Sequence, residues 1–272
     1  MTHDDPGYLL KSREDDELHR LGFQHRVWHH DTSDLIKCAG FGPGQILMDV
    51  GSGPGYLSLD LSALVGDGGR VIALDSSEKF IAHLGAAANK QGRKNIQPVL
   101  SDVQDIRLES ASIDGAVARW VLMFVQDVDA VLRGVTRVLK PGGVFAVMEY
   151  FQFRSMSLWP RGDAFRRLFD AVHDLIGRHG GDADIGGRMP MLLRQHGYRI
   201  EHLYPVLRLG RPESDLWKWL EMARRNHSEV VDAGLITAEQ LGESFREWQD
   251  AAGAPGAFFT APPLLMTVGV KE

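Results

Sequence analysis

A short glycine-rich segment directly after an apolar run constrains this chain more than any other feature. Residues 46–50 are apolar except for Asp49, and they lead into Gly51-Ser52-Gly53-Pro54-Gly55. Glycines have no Cβ and tolerate positive φ, so the backbone there can pass close to a ligand. A helical pattern begins at Tyr56, and the free N–H groups of such a helix suit a carboxylate or a phosphate. The segment predicts a strand, a ligand-binding loop and a helix.

The spacing of the glycines separates two kinds of loop. The dinucleotide fingerprint has glycines at the first, third and sixth loop positions. Here Tyr56 stands at the sixth position, and a glycine falls one place early at Gly55. An acid at Asp49 can hold a cationic amino group, which a pyrophosphate lacks. The loop therefore favours a ligand with an ammonium and a carboxylate, and an NAD(P)-dependent oxidoreductase is the weaker alternative.

Acidic residues follow two further apolar segments. Asp75 ends the second segment, where an acid typically hydrogen-bonds ribose hydroxyls, and Asp102 follows the third, where it could accept a hydrogen bond from an exocyclic amine. An amphipathic helix is predicted over 127–140, with Asp127 at its cap position. Strands are predicted over 70–75, 96–100, 113–119 and 144–150.

With these segments the chain resembles the class I S-adenosylmethionine (SAM)-dependent methyltransferases, and among them the small-molecule type. The resemblance is specific over 46–149, and it includes the loop 118–124 and the Arg-Val-Leu-Lys-Pro-Gly-Gly segment at 137–143. It implies SAM as cofactor and an α/β fold: a doubly wound, mostly parallel seven-stranded sheet with an antiparallel edge strand and a helical lid. Many relatives have histidine where Phe124 stands, so any role of that histidine is absent here.

The resemblance also implies a set of cofactor contacts. Asp49, Gly51 and Gly53 would contact the methionine part of SAM, Asp75 would hold the ribose, and Asp102 with Val103 would flank the adenine. N-terminal helices close over SAM in such enzymes, although their polar residues could equally be surface decoration. The expected cofactor-binding residues are Tyr8, Gln24, Asp49, Gly51, Gly53, Asp75, Ser76, Asp102, Val103 and Arg119.

A general base is useful in methyl transfer but not mandatory. Alignment of the two reactants can supply most of the barrier reduction, and a base adds roughly 10²–10⁴-fold. His29 and His173 are the catalytic candidates, against the alternative that both are solvated helix histidines. Glu149 ends the fifth strand, where it either orients the acceptor or serves as a structural acid.

The sequence favours a reaction without a metal. His25 and His29 are four residues apart, a spacing that suits a metal, but no cysteine lies near and the HExxH pattern is absent. Metal-assisted catechol-type methylation needs clustered carboxylates or amides around the acceptor. Arg119 and Trp120 stand where such an acid would serve.

Aromatic and methionine residues predict an apolar, adaptable acceptor pocket. Trp217 and Trp219 are expected to point to different faces of one helix, so that both cannot be core. Core packing is the alternative for at least half of the cluster. Its members are Trp120, Met123, Phe124, Phe151, Phe153, Trp159, Trp217, Trp219 and Met222.

These features predict methyl transfer by in-line displacement, without a metal, to oxygen or nitrogen of a small, hydrophobic or aromatic metabolite. The alternative is a SAM-fold protein with a non-methylating role, such as cyclisation, since fold does not imply function. The formal charge of −6 argues against a nucleic-acid partner. The lone Cys38 fits a reducing cytoplasm. Neither a leader nor a membrane-spanning run is expected, and a homodimer is allowed.

The expected organisation has three parts. Residues 1–45 would form an N-terminal helical lid, and 46–151 the SAM-binding core. Residues 152–272 would add helical lid insertions and the last two strands of the sheet. Within that last part, helices are expected over 157–178, 188–196, 213–223 and 237–250, and strands over 198–209 and 264–270.

Overall fold

The computed structural model describes residues 14–224 and 228–272. Ten helices of the described residues are α1 Glu14–Val27, α2 His29–Cys38, α3 Tyr56–Val65, α4 Glu78–Lys90, α5 Val128–Val138, α6 Asp163–Arg178, α7 Ile185–Gln195, α8 Asp215–Arg224, α9 Glu229–Asp232 and α10 Ala238–Ala252. Their strands are β1 Ile46–Val50, β2 Arg70–Asp75, β3 Ile96–Leu100, β4 Ile113–Arg119, β5 Leu139–Tyr150, β6 Ser157–Trp159, β7 Tyr198–Val206, β8 Leu209–Gly210, β9 Phe258–Thr260 and β10 Leu264–Lys271.

Seven strands form one twisted sheet in the order β3-β2-β1-β4-β5-β10-β7. The first five are parallel, as in the pairings of β1 with β2 and with β4. β10 runs antiparallel to both of its neighbours, β5 and β7. The predicted fold class is confirmed, and the antiparallel strand lies one place inside the edge, which β7 occupies.

The chain order reverses direction in the sheet between β1 and β4, because β2 and β3 lie on one side of β1 and β4 and β5 on the other. In open α/β sheets, ligands bind outside the carboxyl ends of the strands at such a switch point. The core strands are buried on both faces, with Leu47, Val50 and Val117 fully inaccessible. This rigid frame fixes the loops that follow β1, β2, β4 and β5.

The strands predicted over 70–75, 96–100 and 113–119 have the predicted bounds, whereas the segment after β5 differs from expectation. A helix was expected over 157–178, but it begins at Asp163, and Ser157–Trp159 is a strand paired with Phe258–Thr260. Pro160 disfavours helical backbone in the residue before it. β6, β9 and β8 form a second, three-stranded sheet.

Trp217 and Trp219 are both buried, at 3% and 4% exposure, so the expectation that one of them lies outside the core is wrong. They do point to different faces of α8. Trp217 stacks on Trp248 of α10 with ring centroids 3.9 Å apart, while Trp219 lies edge-on against Trp28 at 5.5 Å. Both are covered because α8 packs between two layers.

Within residues 14–224 and 228–272, no helix has both the length and the apolar character that crossing a bilayer requires.

Candidate functional site

A cavity opens at the carboxyl ends of the parallel strands, at the switch point between β1 and β4. Its lower wall comes from the glycine loop after β1, the end of β2 and the end of β4. Helices α1 and α8 supply the opposite wall, through Gln24 and Trp219 among others. The cavity therefore combines the sheet edge with both flanking helical parts of the chain.

Each of the three loop positions requires or tolerates glycine for a different physical reason. A Cβ on Gly51 would lie 2.3 Å from the Val121 side chain, and one on Gly55 would lie 2.2 Å from Leu84, so packing excludes side chains there. A Cβ on Gly53 would meet nothing within 4 Å, although the residue has a φ of +54°. Gly53 is thus the glycine whose open side faces the cavity.

Asp75 ties the end of β2 to this loop. Its carboxylate accepts hydrogen bonds from the backbone N–H of Gly53 (2.7 Å) and of Ser77 (2.9 Å). Ser76, between them, also lines the cavity. A carboxylate oxygen can accept more than one hydrogen bond, so Asp75 can hold the loop and still accept from a ligand hydroxyl.

Asp49 is buried beneath the loop and borders the cavity. The Ser58 hydroxyl donates to its carboxylate at 2.6 Å. Burial raises the pKa of Asp49 to about 6, while the Ser58 hydrogen bond and the charge of Arg119 oppose that rise. At neutral pH the carboxylate is mostly ionised, and it supplies a negative charge at the cavity floor.

Arg119 ends β4 and connects the sheet to the N-terminal helices. Its guanidinium donates to the Thr32 hydroxyl at 2.8 Å and to Nδ1 of His25 at 3.3 Å. Burial lowers the pKa of Arg119 to about 10, against the opposing charges of Asp49 and Asp60. It remains a cation at neutral pH. Arg119 lines the cavity, as the prediction of a cofactor contact requires.

The contact with Arg119 fixes the tautomer of His25. A guanidinium only donates hydrogen bonds, so Nδ1 of His25 is the acceptor and Nε2 carries the proton of the neutral ring. Nε2 lies 3.1 Å from Oδ2 of Asp60, to which it donates. The exposed His29 places its own Nε2 3.5 Å from the same oxygen. These three side chains have the spacing of metal ligands, but the His25 lone pair is engaged.

Glu149 and the loop after β4 form a buried unit beside the cavity. One oxygen of Glu149 accepts from the backbone N–H groups of Val121 and Leu122, each at 2.8 Å. Burial raises the pKa of Glu149 to about 8, against these backbone hydrogen bonds. Trp120, just before them, has a φ of +54°. Glu149 is not among the lining residues, so its contacts support the structural alternative.

The far half of the cavity is apolar. Five of the nine aromatic and methionine residues singled out in the sequence line it. Trp159 is 53% exposed, and Trp217 lies on the face of α8 that packs against Trp248. Phe151 and Met222 also lie outside the lining. The five that line it are Trp120, Met123, Phe124, Phe153 and Trp219.

The structure brings most predicted cofactor residues to one place, and their contacts with SAM stay a prediction. Those lining the cavity are Gln24, Asp49, Gly51, Gly53, Asp75, Ser76 and Arg119. Gln24 accepts hydrogen bonds from Arg20 (2.9 Å) and from Trp219 (3.2 Å). Tyr8 lies outside the described residues.

The remaining predicted residues lie off the cavity wall. Asp102 accepts from the backbone N–H of Gln104 at 2.8 Å, and Val103 is buried beside it. His29 is exposed, and His173 pairs with Asp184 at 3.2 Å. None of these four lines the cavity. A catalytic role for either histidine and an adenine contact for Asp102 and Val103 stay predictions.

Among the lining residues that were absent from the sequence-based set, Arg20 and Tyr150 carry polar groups. Arg20 stands four residues before Gln24, and that helical spacing would have placed both on one face of α1. Tyr150 is the last residue of β5, so its position at the carboxyl edge of the sheet was the available signal. The buried Arg20 is paired with Glu17 through two hydrogen bonds of 2.8 and 2.7 Å.

Comparison with known families identifies one domain. Residues 48–147 match the family model described as a methyltransferase domain. A protein of transposon TN4556 from Streptomyces fradiae is 30% identical over 83% of this chain, which spans 62% of that protein's length. The ubiquinone/menaquinone biosynthesis C-methyltransferase UbiE of Shewanella sediminis is 26% identical over 79% of this chain and 74% of its own length.

Solved structures share the fold at low identity. A methyltransferase-like protein from Bacillus halodurans superposes with a TM-score of 0.62 at 17% identity, covering 89% of this chain and 99% of that one. The geranyl diphosphate C-methyltransferase of Streptomyces coelicolor, solved with S-adenosylhomocysteine and Mg²⁺, gives 0.58 at 13% identity over 91% and 77%. The [4+2]-cyclase SpnF gives 0.58 at 16% identity over 89% and 80%.

Proposed function

We propose that this protein is a class I SAM-dependent methyltransferase that acts on a small, uncharged and mostly apolar acceptor, since residues 48–147 match a methyltransferase domain. The observation that carries the proposal is the division of one cavity. The half at the glycine loop presents the acids Asp49 and Asp75, and the other half is aromatic and aliphatic. A charged cofactor and an apolar acceptor would thus meet end to end.

The polar half suits the amino-acid and ribose parts of SAM. Gly53 presents open backbone to the cavity, which leaves room for a closely approaching ligand. Asp49 and Asp75 both border this half of the cavity, which supports the proposal that Asp49 pairs with the ammonium of SAM and Asp75 with its ribose hydroxyls. In this role Asp49 would bind by charge and Asp75 by hydrogen bonds.

The apolar half would bind and orient the acceptor. When bound, SAM supplies a methyl group already activated by its sulfonium. The side chains of the chain itself exclude water and restrict the acceptor to poses that point toward the polar half, and such alignment lowers the barrier. Phe153, Phe169 and Ile176 belong to this wall.

Proton removal has no dedicated residue in this arrangement. His25 is the histidine that lines the cavity, but its Nδ1 accepts from Arg119 and its Nε2 donates to Asp60. We therefore infer that alignment carries the reaction and that the proton of the acceptor leaves to solvent after the methyl group has been transferred. This inference replaces neither His29 nor His173, which stay candidates.

A reaction without a metal is supported by the same hydrogen bonds. Binding a cation through Nε2 of His25 would require the proton on that nitrogen to leave, while Arg119 keeps Nδ1 from taking it up. The described residues of the apolar half contribute no carboxylate, and carboxylate or carbonyl oxygens are the ligands of Mg²⁺.

Oxygen or nitrogen is the acceptor atom predicted from the sequence, and carbon is a second candidate. Two proteins similar to this chain, one by sequence and one by fold, are named C-methyltransferases. The carbon of an electron-rich enol or phenol can attack the methyl group without prior deprotonation, and the cation that results loses its proton to water afterwards. The likeness to the SpnF cyclase concerns the fold alone.

The test is an acceptor screen with purified protein and SAM. Neutral phenols, aromatic amines and enols of similar size are compared with charged small acceptors, and S-adenosylhomocysteine release is measured. Turnover with neutral acceptors, with the methyl position found by NMR, is the expected result. Preference for charged acceptors contradicts the proposal. Tight SAM binding without release from any acceptor favours the non-methylating alternative.

A further inference from the structure

Tyr150 holds a fixed position in the wall of the cavity. It is the last residue of β5 and is buried, with its ring 6.1 Å from that of Trp120 and edge-on to Phe153 at 5.6 Å. Both neighbours also line the cavity. Because two aromatic rings and the strand end restrict it, the direction of the Tyr150 hydroxyl is set before any ligand binds.

The hydroxyl of Tyr150 has no hydrogen-bond partner among residues 14–224 and 228–272. Two other tyrosines show the usual outcome for a ring packed inside the protein. The Tyr56 hydroxyl donates to the carbonyl of Leu18 at 2.9 Å, and that of Tyr198 accepts from Thr136 at 3.0 Å. The Tyr150 oxygen differs from the fully buried polar atoms that lack a partner, because it keeps accessible surface. Since Tyr150 lines the cavity, a ligand there can reach this hydroxyl and supply its partner.

The surroundings make this hydroxyl a donor. Burial and the neighbouring Glu149 raise the pKa of Tyr150 above its usual range, against the smaller effect of Arg20. The phenol therefore stays protonated at neutral pH and offers its proton to an acceptor oxygen. It does not act as a base.

Charge is scarce around this position. Met156, Val172 and Leu175 continue the apolar wall beyond the tyrosine. Arg20, the cation nearest to it in the wall, is already paired with Glu17. A charged ligand would leave water without gaining a counter-ion here, which is costly in an apolar site.

We propose that Tyr150 positions the acceptor by donating a hydrogen bond to its oxygen, so that the preferred acceptors are neutral, apolar molecules with a carbonyl, hydroxyl or ether oxygen. The inference rests on the proposed function and narrows its acceptor class. A ligand lacking the oxygen leaves the hydroxyl unpaired, and sites built around a polar group discriminate strongly against such ligands.

The test uses two probes of the same shape, 1-tetralone and its hydrocarbon analogue tetralin, with protein saturated with S-adenosylhomocysteine. Calorimetry gives the affinity ratio of the two probes for wild type, Tyr150→Phe and Tyr198→Phe. The last variant is the matched control, since it removes a buried tyrosine hydroxyl away from the cavity. The wild type and Tyr198→Phe should prefer the ketone by about three- to tenfold, and Tyr150→Phe should lose that preference while binding tetralin as well as before.

A ratio near one in the wild type, or a preference that persists in Tyr150→Phe, overturns the assignment. Failure of both probes to bind overturns it too, because the apolar half of the cavity then does not hold an apolar ketone. The proposed function fails separately if the protein forms no S-adenosylhomocysteine from SAM with any acceptor, even though Tyr150→Phe changes the probe ratio as expected. Methylation of neutral acceptors with an unchanged ratio leaves the function standing and removes Tyr150.

Discussion

Single residues at this site have identifiable physical roles that their letter alone does not reveal. Gly51 and Gly55 make room for Val121 and Leu84, and Gly53 alone faces open space. Asp75 holds the loop through two backbone hydrogen bonds while it faces the cavity. The glycines that look equivalent in sequence are therefore separable by substitution.

Gly53→Ala should weaken SAM binding with little effect on packing, because the new methyl group enters the cavity and touches no protein atom. Gly92→Ala is the matched control, since Gly92 has a similar positive φ (+66°), equally open surroundings and a place off the cavity wall. Both variants should lose about 1 kcal/mol of stability to backbone strain. Calorimetric titration should show a loss of at least tenfold in SAM affinity for Gly53→Ala only. Equal affinities would remove Gly53 from the cofactor site.

Glu149 should make stability depend on pH. Its carboxyl has a pKa of about 8 in the folded protein and about 4.5 ordinarily, so the folded state holds the proton more tightly. The stability it contributes is complete below pH 4.5 and is lost as pH rises toward 8. Glu149→Gln keeps an oxygen for Val121 and Leu122 but cannot ionise. Its free energy of unfolding relative to wild type should rise by up to about 1.4 kcal/mol per pH unit over this window.

Urea unfolding at several pH values measures the effect. Glu109→Gln, at an exposed position, provides the control and should follow the wild-type profile. A Glu149→Gln profile parallel to wild type would mean that the acid is ionised or hydrated in the folded protein.

At the scale of elements, one half-buried arginine joins the sheet to the N-terminal helices. Arg119 at the end of β4 bonds to Thr32 of α2 and His25 of α1, and His25 continues to Asp60 of α3. The chain of hydrogen bonds has a direction, from guanidinium to imidazole to carboxylate, and that direction decides what the histidine can do.

Arg119→Met should create a metal site. Without the guanidinium, Nδ1 of His25 can carry the proton, and Nε2 is freed to join His29 and Asp60 as a ligand. Zn²⁺ accepts such nitrogen and carboxylate ligands, so the variant should bind Zn²⁺ at least tenfold more tightly than wild type, as measured by competition with a chromogenic chelator. The double variant Arg119→Met/His25→Ala should lose the gain. Wild type that binds Zn²⁺ as tightly as Arg119→Met would refute the tautomer assignment.

The core strands could be predicted from the sequence because their patterns are local. β2 has an uninterrupted apolar run between Arg70 and Asp75, and β3 and β4 are mostly apolar; the observed bounds of all three equal the predicted ones. β6 and β9 have three residues each and exist through their mutual pairing across about a hundred positions, so no local pattern marks them. The double burial of Trp217 and Trp219 likewise depends on α10 and α1, which the helix's own periodicity cannot show.

The site residues divide in the same way, into those that the local sequence marks and those that only tertiary packing reveals. The acids and glycines at strand ends could be placed because parallel strands bring their carboxyl ends together. The candidate histidines rested on residue type and local spacing, and neither His29 nor His173 borders the cavity. Tyr150 was missed because its importance arises from an unpartnered hydroxyl, which only the packing of Trp120 and Phe153 reveals.

At the scale of the whole molecule, the cavity is closed by segments far apart in the chain. Trp28 after α1, Trp120 after β4 and Trp219 in α8 meet edge to face, at 5.7 and 5.5 Å. Such aromatic pairs stabilise beyond their buried area by about 0.5–1.5 kcal/mol. Helices α1 and α8, which form the wall opposite the sheet, are thereby coupled to the sheet through a few large contacts.

Cofactor binding should consequently slow amide hydrogen exchange in both α1 and α8. A ligand in the cavity contacts α1 and α8 from below and disfavours their local opening. Exchange with saturating S-adenosylhomocysteine should fall several-fold in Glu14–Val27 and Asp215–Arg224, read by mass spectrometry. The edge strand Tyr198–Val206 is the internal control and should not change. Protection confined to the glycine loop would show that the local opening of α1 and α8 does not depend on the ligand.

Much of the wall of the apolar half comes from outside residues 48–147, with Tyr150, Phe169 and Leu220 as examples, whereas Trp120, Met123 and Phe124 lie within that range. Substitutions in those segments should therefore alter the proposed acceptor preference without touching the glycine loop or Asp75, which lie within the matched domain. Transplanting the stretch 150–176 from a homologue should carry that homologue's substrate preference with it.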